Sequence, residues 1–167
     1  MYCDDRAKAI EIARLQDNAE ALTGSLTKYV FCQNEGFEGF KPGLDLLTEA
    51  AQVAKDNKLS EKHSAMIHNA TGLLYRSNQL HEKAYEYLLN AYNDWLKIED
   101  VQDMFNMQHG LVGESVSMKD WELADKHIEV LFQMAKKYPD FKDFTFFAYF
   151  NKGRKRYAER DWIGSVE

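Results

Sequence analysis

The fold is decided by residues 72–98, whose sequence is GLLYRSNQLHEKAYEYLLNAYNDWLKI. Small and apolar residues in its second half follow one another at intervals of four, three, four and three, at Ala84, Leu88, Ala91, Trp95 and Ile98. Such spacing makes one continuous stripe along an α-helix. Small residues let two helices approach closely, while large residues fill the groove beside them. The stretch therefore predicts two helices that pack closely against each other.

The same pattern recurs along the chain at a nearly constant interval, as in proteins built from structural repeats. The small residues of the pattern stand at Gly43, Ala84, Ala124 and Ser165. Three positions before each of them stand Phe40, His81, Trp121 and Trp162. The apolar positions that follow recur in the same register. An array of helical hairpins is therefore predicted.

The register divides the chain into one domain of consecutive units. The predicted units are 18–58, 59–99, 100–139 and an incomplete 140–167, preceded by a remnant helix at 1–17. The last helix is expected to span 141–159, with a further helix beginning at Asp161 and Trp162. Expected N-caps, chosen as Ser, Asn or Asp before a helical pattern, are Ser60, Asn78, Asp100, Asp120 and Asp140. Both ends cut through a hairpin, so a piece of a longer array is expected.

Composition and charge narrow the classes of partner. The chain has 167 residues, is 45% hydrophobic and 29% charged, and carries a net charge of −6, as a soluble globular domain does. The acidic balance argues against binding nucleic acid or anionic membranes. No apolar run is long enough to insert into a bilayer. The N-terminus lacks signal-peptide features, so the cytoplasm is favoured, and the periplasm would follow from an upstream signal peptide.

No pattern predicts chemistry, and no enzyme activity, metal or cofactor is expected. His63 and His68 stand five apart and do not share a helix face, and Cys3 and Cys32 stand outside metal or redox spacings. His127 is expected on the polar flank of its helix. A basic cluster comprises Lys152, Arg154, Lys155, Arg156 and Arg160. We interpret it as complementing a helix dipole, with a phosphate or nucleic-acid site as the alternative.

The chain resembles tetratricopeptide (TPR) repeat proteins, in the variant with repeats of about 40 residues. The resemblance is carried by Gly72–Tyr75, Ala84–Leu88–Ala91, Asp120-Trp121–Ala124 and Asp161-Trp162–Ser165. It implies an all-α fold of antiparallel helical hairpins stacked in a right-handed superhelix. Repeats of this length look like the sensory regions of bacterial signalling proteins, namely GGDEF-type diguanylate cyclases, histidine kinases and MalT-like transcription regulators.

In TPR arrays the first helix of each hairpin lines a concave groove. Register then implies a lining of Lys28, Glu35, Met66, Asn69, Leu73, Arg76, Asn106, His109, Val116, Phe147, Phe150, Arg154 and Tyr157. The alternative is that several of these residues pack against further repeats. TPR domains that clamp a C-terminal carboxylate use a Lys/Asn pattern, which is not matched here because Cys32 stands where the asparagine is expected.

The resemblance implies a protein- or peptide-binding sensory module without chemistry of its own. The alternatives are a structural dimerisation scaffold for an attached output domain, the TPR region of a MalT-like regulator, or a small-ligand or enzyme domain built on helices. Six aromatic residues crowd residues 141–150, more than one helix face can bury. They predict a homodimer through the C-terminal aromatic helix.

Overall fold

The computed structural model describes residues 2–33 and 39–164, with side chains over 4–30 and 39–160. Over these residues the chain forms eight α-helices and no strand, which confirms the all-α class. The helices are α1 (Tyr2–Leu15), α2 (Ala19–Gln33), α3 (Phe40–Asp56), α4 (Glu61–Ser77), α5 (His81–Ile98), α6 (Val101–Ser117), α7 (Trp121–Lys137) and α8 (Lys142–Gly164). They form two compact units, unit 1 over residues 1–99 and unit 2 over residues 100–167.

In unit 1 each helix packs against the next, and α2 also packs against α4. The stripe in α5 faces this core, since Ala84, Leu88, Ala91 and Trp95 are buried, whereas Ile98 at the end of the helix is exposed. Gly72 lies directly against Leu88. A Cβ atom at Gly72 would lie 2.8 Å from Leu88 Cγ and 3.2 Å from its backbone nitrogen. The close approach of α4 and α5 therefore requires a glycine.

In unit 2, α6 packs against α7, and α8 packs against both. Leu111, Ala124, Leu131, Phe144 and Ala148 are buried between them. Two predicted N-caps are confirmed here. The Asp100 side chain accepts a hydrogen bond from the Asp103 amide at 3.1 Å, and that of Asp120 accepts one from the Leu123 amide at 3.0 Å.

Four of the turns between helices share one backbone geometry. Asp17, Lys58, Gln79 and Lys119 have positive φ angles of 50° to 60°, and both Asp17 with Lys58 and Gln79 with Lys119 stand one repeat interval apart. The residue that follows each of them donates its amide to the carbonyl of the residue five positions before it, at 2.9 to 3.0 Å. This bond with a left-handed residue is the Schellman ending of a helix. The recurrence is consistent with a helical repeat.

The end of α8 differs from the prediction. Helix α8 runs without interruption from Lys142 to Gly164, so the expected break before Asp161 is wrong. The repeat interval places Arg160 at the position of the left-handed turn residues Gln79 and Lys119, but Arg160 is helical. Residues 158–160 are Ala-Glu-Arg, which are strong helix formers. An ion pair between Lys155 and Glu159, at 2.9 Å, further supports the helix just before the expected turn.

Asn78 is not the N-cap of α5, as expected, but the C-cap of α4. Its side-chain amide donates to the Leu74 carbonyl at 2.8 Å, and Leu80 stands at the N-cap position instead. Asparagine serves either end of a helix because its side chain bonds nearby backbone groups. Ser60 does stand at the N-cap of α4, although its side chain makes no capping bond.

Membrane insertion was not expected from the sequence. Within residues 2–33 and 39–164, none of the helices combines the length and the apolar character that a bilayer span requires.

Candidate functional site

A cleft of about 660 Å³ opens between α6 and α8 in unit 2. We call it the α6–α8 cleft. Its lining residues are Gln102, Phe105, Asn106, His109, Asp140, Phe141, Lys142, Asp143, Phe144 and Phe147. Its volume lies in the range of ligand-binding pockets, and its mixture of aromatic and polar side chains is typical of them.

Aromatic rings form the floor of the cleft. The Phe105 and Phe144 rings are parallel with centroids 3.7 Å apart, and both residues are buried. Phe141 stacks on Phe144 at 4.7 Å, and Phe147 meets Phe105 edge to face at 6.5 Å. Phe141 and Phe147 are partly exposed, so they border the opening while the buried pair closes its base.

His109 presents a defined polar group beside this floor. The buried Asn151 amide donates to His109 Nδ1 at 2.7 Å and to the Phe147 carbonyl at 2.8 Å. The two bonds settle which way the Asn151 amide points. Because Nδ1 accepts a hydrogen bond, the neutral His109 ring carries its proton on Nε2.

Exposed acids border the end of the cleft formed by the start of α8. Asp140 and Asp143 are both exposed, and among the described side chains neither forms an ion pair. Asn106, on the α6 side, donates to Asp103 at 3.2 Å and accepts from Gln102 at 3.3 Å. The cleft therefore combines an apolar floor with a border on which the two carboxylates of Asp140 and Asp143 outnumber the one ammonium group, that of Lys142.

Three residues of the predicted groove, Asn106, His109 and Phe147, lie together in the α6–α8 cleft. The other predicted residues of unit 2 do not line it. Phe150 approaches His109 with ring centroids 6.4 Å apart. Arg154 packs over Gly113, and Tyr157 points into solvent. Val116 is half-buried on α6.

The predicted groove residues of unit 1 do not line a common cavity. Lys28 is exposed on α2, and the four residues of α4 are half-buried, namely Met66, Asn69, Leu73 and Arg76. Cavities of about 250, 240 and 390 Å³ in this unit are lined by other residues. Glu35 lies outside the described residues, as do the side chains of Cys3 and Cys32.

Sequence reasoning missed most of the cleft floor. Phe105 lies four positions before His109, which places both on one face of α6. That spacing could have identified Phe105 as a lining residue. Asp140 was predicted only as an N-cap, which is wrong because α8 begins two positions later, at Lys142, and Asp143 lies in the first turn of that helix. Both residues lie at the cleft because α8 packs against α6, and a local sequence pattern does not predict that packing.

A second polar cluster joins α4 to α5. Asp94 is buried and accepts hydrogen bonds from Ser64 at 2.8 Å, from His68 Nδ1 at 2.8 Å and from Lys97 at 3.0 Å. Lys97 also pairs with Glu61 at 3.2 Å. Ser64 donates to the carboxylate and not to His68, so the imidazole does not act as its base, as a nucleophilic triad requires. The cluster links two helices.

Burial alone would raise the pKa of the Asp94 carboxyl, but hydrogen bonds from Lys97, Ser64 and His68 outweigh it and hold that pKa below its ordinary value. The unfolded chain therefore binds this proton more readily than the folded chain. The stability that Asp94 contributes is present above about pH 4, the ordinary pKa of aspartate, and is lost as the pH falls through the folded-state pKa.

We expect Asp94→Asn to lower the free energy of unfolding by about 1–3 kcal/mol at neutral pH, because Ser64, His68 and Lys97 lose the charged acceptor that they share. The variant should also lose less stability than wild type on acidification below about pH 4. Urea unfolding over a pH series measures both effects. Asp45→Asn is the control, since Asp45 is exposed and Lys41 is its one ion-pair partner among the described side chains. Equal acid dependence in wild type and Asp94→Asn would contradict the assignment.

His127 is buried, and its expected place on a polar flank is wrong. Its Nδ1 lies 2.8 Å from Oε1 of the buried Gln108, to which it donates. Burial lowers the pKa of His127, so the ring stays neutral in the fold. Its contribution to stability is accordingly lost as the pH falls below about 6.5. No spacing in the sequence indicates this polar pair inside the α6–α7 interface.

The basic cluster of α8 does not form one surface. Lys155 is buried and pairs with Asp125 at 3.0 Å and with Glu159 at 2.9 Å. Burial alone would lower the pKa of Lys155, but its hydrogen bonds to these carboxylates raise it. Lys152 lies over the Phe132 ring at 5.7 Å. Lys152 and Lys155 are therefore engaged inside unit 2.

Among the described side chains, no group of three or more His, Cys, Asp or Glu residues is placed to hold a metal ion. Comparison of the chain with protein families, with curated proteins and with solved structures found no match.

Proposed function

We propose that this chain is a TPR-like protein- or peptide-binding module, the sensory or regulatory part of a larger bacterial signalling protein such as a GGDEF-type diguanylate cyclase. The α6–α8 cleft carries the proposal of binding. The step to a signalling protein is supported by the resemblance of residues 72–98 and by the long, nearly constant interval between the repeated small residues.

The cleft suits a short peptide with one large apolar side chain beside a lysine or arginine. The apolar side chain would lie between the partly exposed rings of Phe141 and Phe147, above the buried Phe105–Phe144 pair. Full burial of such a side chain contributes about 1.5–3 kcal/mol. A neighbouring cation would meet the carboxylates of Asp140 and Asp143, and the amide and imidazole groups of α6 would bind the peptide backbone.

Selection from a random peptide library on the immobilised full chain tests the proposal. We expect the enriched peptides to share an apolar residue next to a basic one. Asn106→Arg should weaken their binding at least tenfold, because it places bulk and positive charge in the opening. Asn90→Arg is the matched control, since Asn90 is also an exposed helical asparagine but lies on α5 in the other unit.

Circular dichroism and thermal unfolding of both variants establish that they fold. Loss of binding in Asn106→Arg alone supports the cleft. Equal binding by the two variants, or a selection that enriches no sequence pattern, would overturn it.

A second candidate is a structural dimerisation scaffold for an attached output domain. The outer surface of α8 favours it, since Phe146, Tyr149, Phe150 and Tyr157 are each about half exposed or more. Exposed aromatic patches of this kind are typical of protein interfaces.

A further inference from the structure

One stripe along α8 is exposed over its whole length. Its members follow at intervals of three, four, three, four and three: Asp143, Phe146, Phe150, Gly153, Tyr157 and Arg160. Phe146 is 64% exposed, Phe150 49% and Tyr157 70%. This alternation is the seam by which two helices pack side by side. We call these six residues the outer stripe.

The outer stripe is complementary to itself when reversed. When the stripe is laid antiparallel on the stripe of a second copy, Asp143 meets Arg160, Phe146 meets Tyr157 and Phe150 meets Gly153. Each pair is centred on the same point, between residues 151 and 152. A two-fold axis through that point repeats every pair, as a symmetric dimer requires. In a parallel pairing Asp143 would face Asp143 and Arg160 would face Arg160, which is repulsive.

Charge and space both favour this arrangement. Among the described side chains, neither Asp143 nor Arg160 forms an ion pair within the chain, so both are available to a partner. A Cβ atom at Gly153 would have no neighbour within 4 Å. The glycine thus leaves open space at the centre of the stripe, where the Phe150 ring of a second copy fits.

We infer that this protein forms a symmetric homodimer in which the outer stripes of two α8 helices pair antiparallel. The inference rests on the scaffold candidate, and the outer stripe shares one residue, Asp143, with the α6–α8 cleft. The paired length, residues 143–160, spans about 26 Å of helix. A single helix pair buries less than the roughly 1,200 Å² of a standard interface, so a dissociation constant in the micromolar range is expected.

Sedimentation equilibrium of the full chain over a range of concentrations tests the dimer, and charge exchange tests its direction. Asp143→Arg or Arg160→Asp alone sets like charges against each other twice and should weaken the dimer at least tenfold. The double variant Asp143→Arg/Arg160→Asp should recover most of the affinity. Glu129→Arg is the control for charge, since Glu129 is exposed on α7 outside the stripe.

Gly153→Lys provides a test that does not depend on the charged ends. It should abolish the dimer while helicity is kept or increased, because lysine favours a helix more than glycine does. Arg160→Asp separates this inference from the proposed function, since Arg160 does not line the cleft and selected peptides should bind the variant unchanged.

A wild-type chain that stays monomeric at high concentration would overturn the inference. A dimer whose dissociation constant is unchanged by Gly153→Lys would also overturn it. So would a folded double variant that dimerises no more tightly than the two single variants. Weakening by each single exchange, with recovery in the double variant, is the result we expect.

Discussion

Replacing Phe144 by alanine is expected to lower the free energy of unfolding of unit 2 by about 3–5 kcal/mol, the range for removing a buried phenylalanine. Phe144 is 2% exposed. Its ring lies between Phe105 and Phe141, with centroids at 3.7 and 4.7 Å. Alanine would leave a cavity at the α6–α8 interface and would remove both stacking contacts.

Phe146→Ala is the control for this prediction. It removes the same atoms two positions along the same helix, but Phe146 is 64% exposed, so the cost should stay within about 0.5 kcal/mol. Urea unfolding at a concentration where the chain is monomeric compares the two variants. Equal losses of stability would mean that α8 does not bury the face described here.

Leu88→Ala is expected to cost unit 1 about 2–5 kcal/mol. Leu88 is 1% exposed and fills the space that Gly72 leaves between α4 and α5. The glycine backbone has no side chain that could move into the cavity. A cost near the upper end of the range is therefore expected.

Leu96→Ala on the same helix serves as the matched control, because Leu96 is 48% exposed. Its cost should be below about 1 kcal/mol, since about half of the side chain is already in water in the folded chain. Thermal and urea unfolding of both variants measure the difference. A change at Leu96 as large as that at Leu88 would contradict the predicted stripe.

Most features that depend on local pattern were predictable, although the N-cap expected at Asn78 was wrong. The stripe at Ala84, Leu88 and Ala91 reports a buried helix face because its spacing matches the helical period. The caps at Asp100 and Asp120 were predictable because a capping carboxylate accepts a hydrogen bond from an amide only three positions away. The resemblance to TPR proteins also directed attention to Asn106, His109 and Phe147, which do line one cleft.

Features that depend on packing were not predictable. Ser64 and His68 on α4 join Asp94 on the following helix, so no spacing rule within one helix links them. His127 follows the polar residues Asp125 and Lys126, yet Gln108 of α6 covers it. The repeat register also predicted a turn at Arg160. The residues there form a helix because they favour one, and a register taken from the other units does not include that local preference.

The central claim is that the α6–α8 cleft binds a peptide. Heteronuclear NMR of the full chain, titrated with a peptide enriched in the library selection, tests it most directly. Perturbed resonances concentrated at residues 102–109 and 140–147, and absent from the same titration of Asn106→Arg, are the predicted result. Perturbations confined to unit 1 or to residues 150–160 of α8 would contradict the claim.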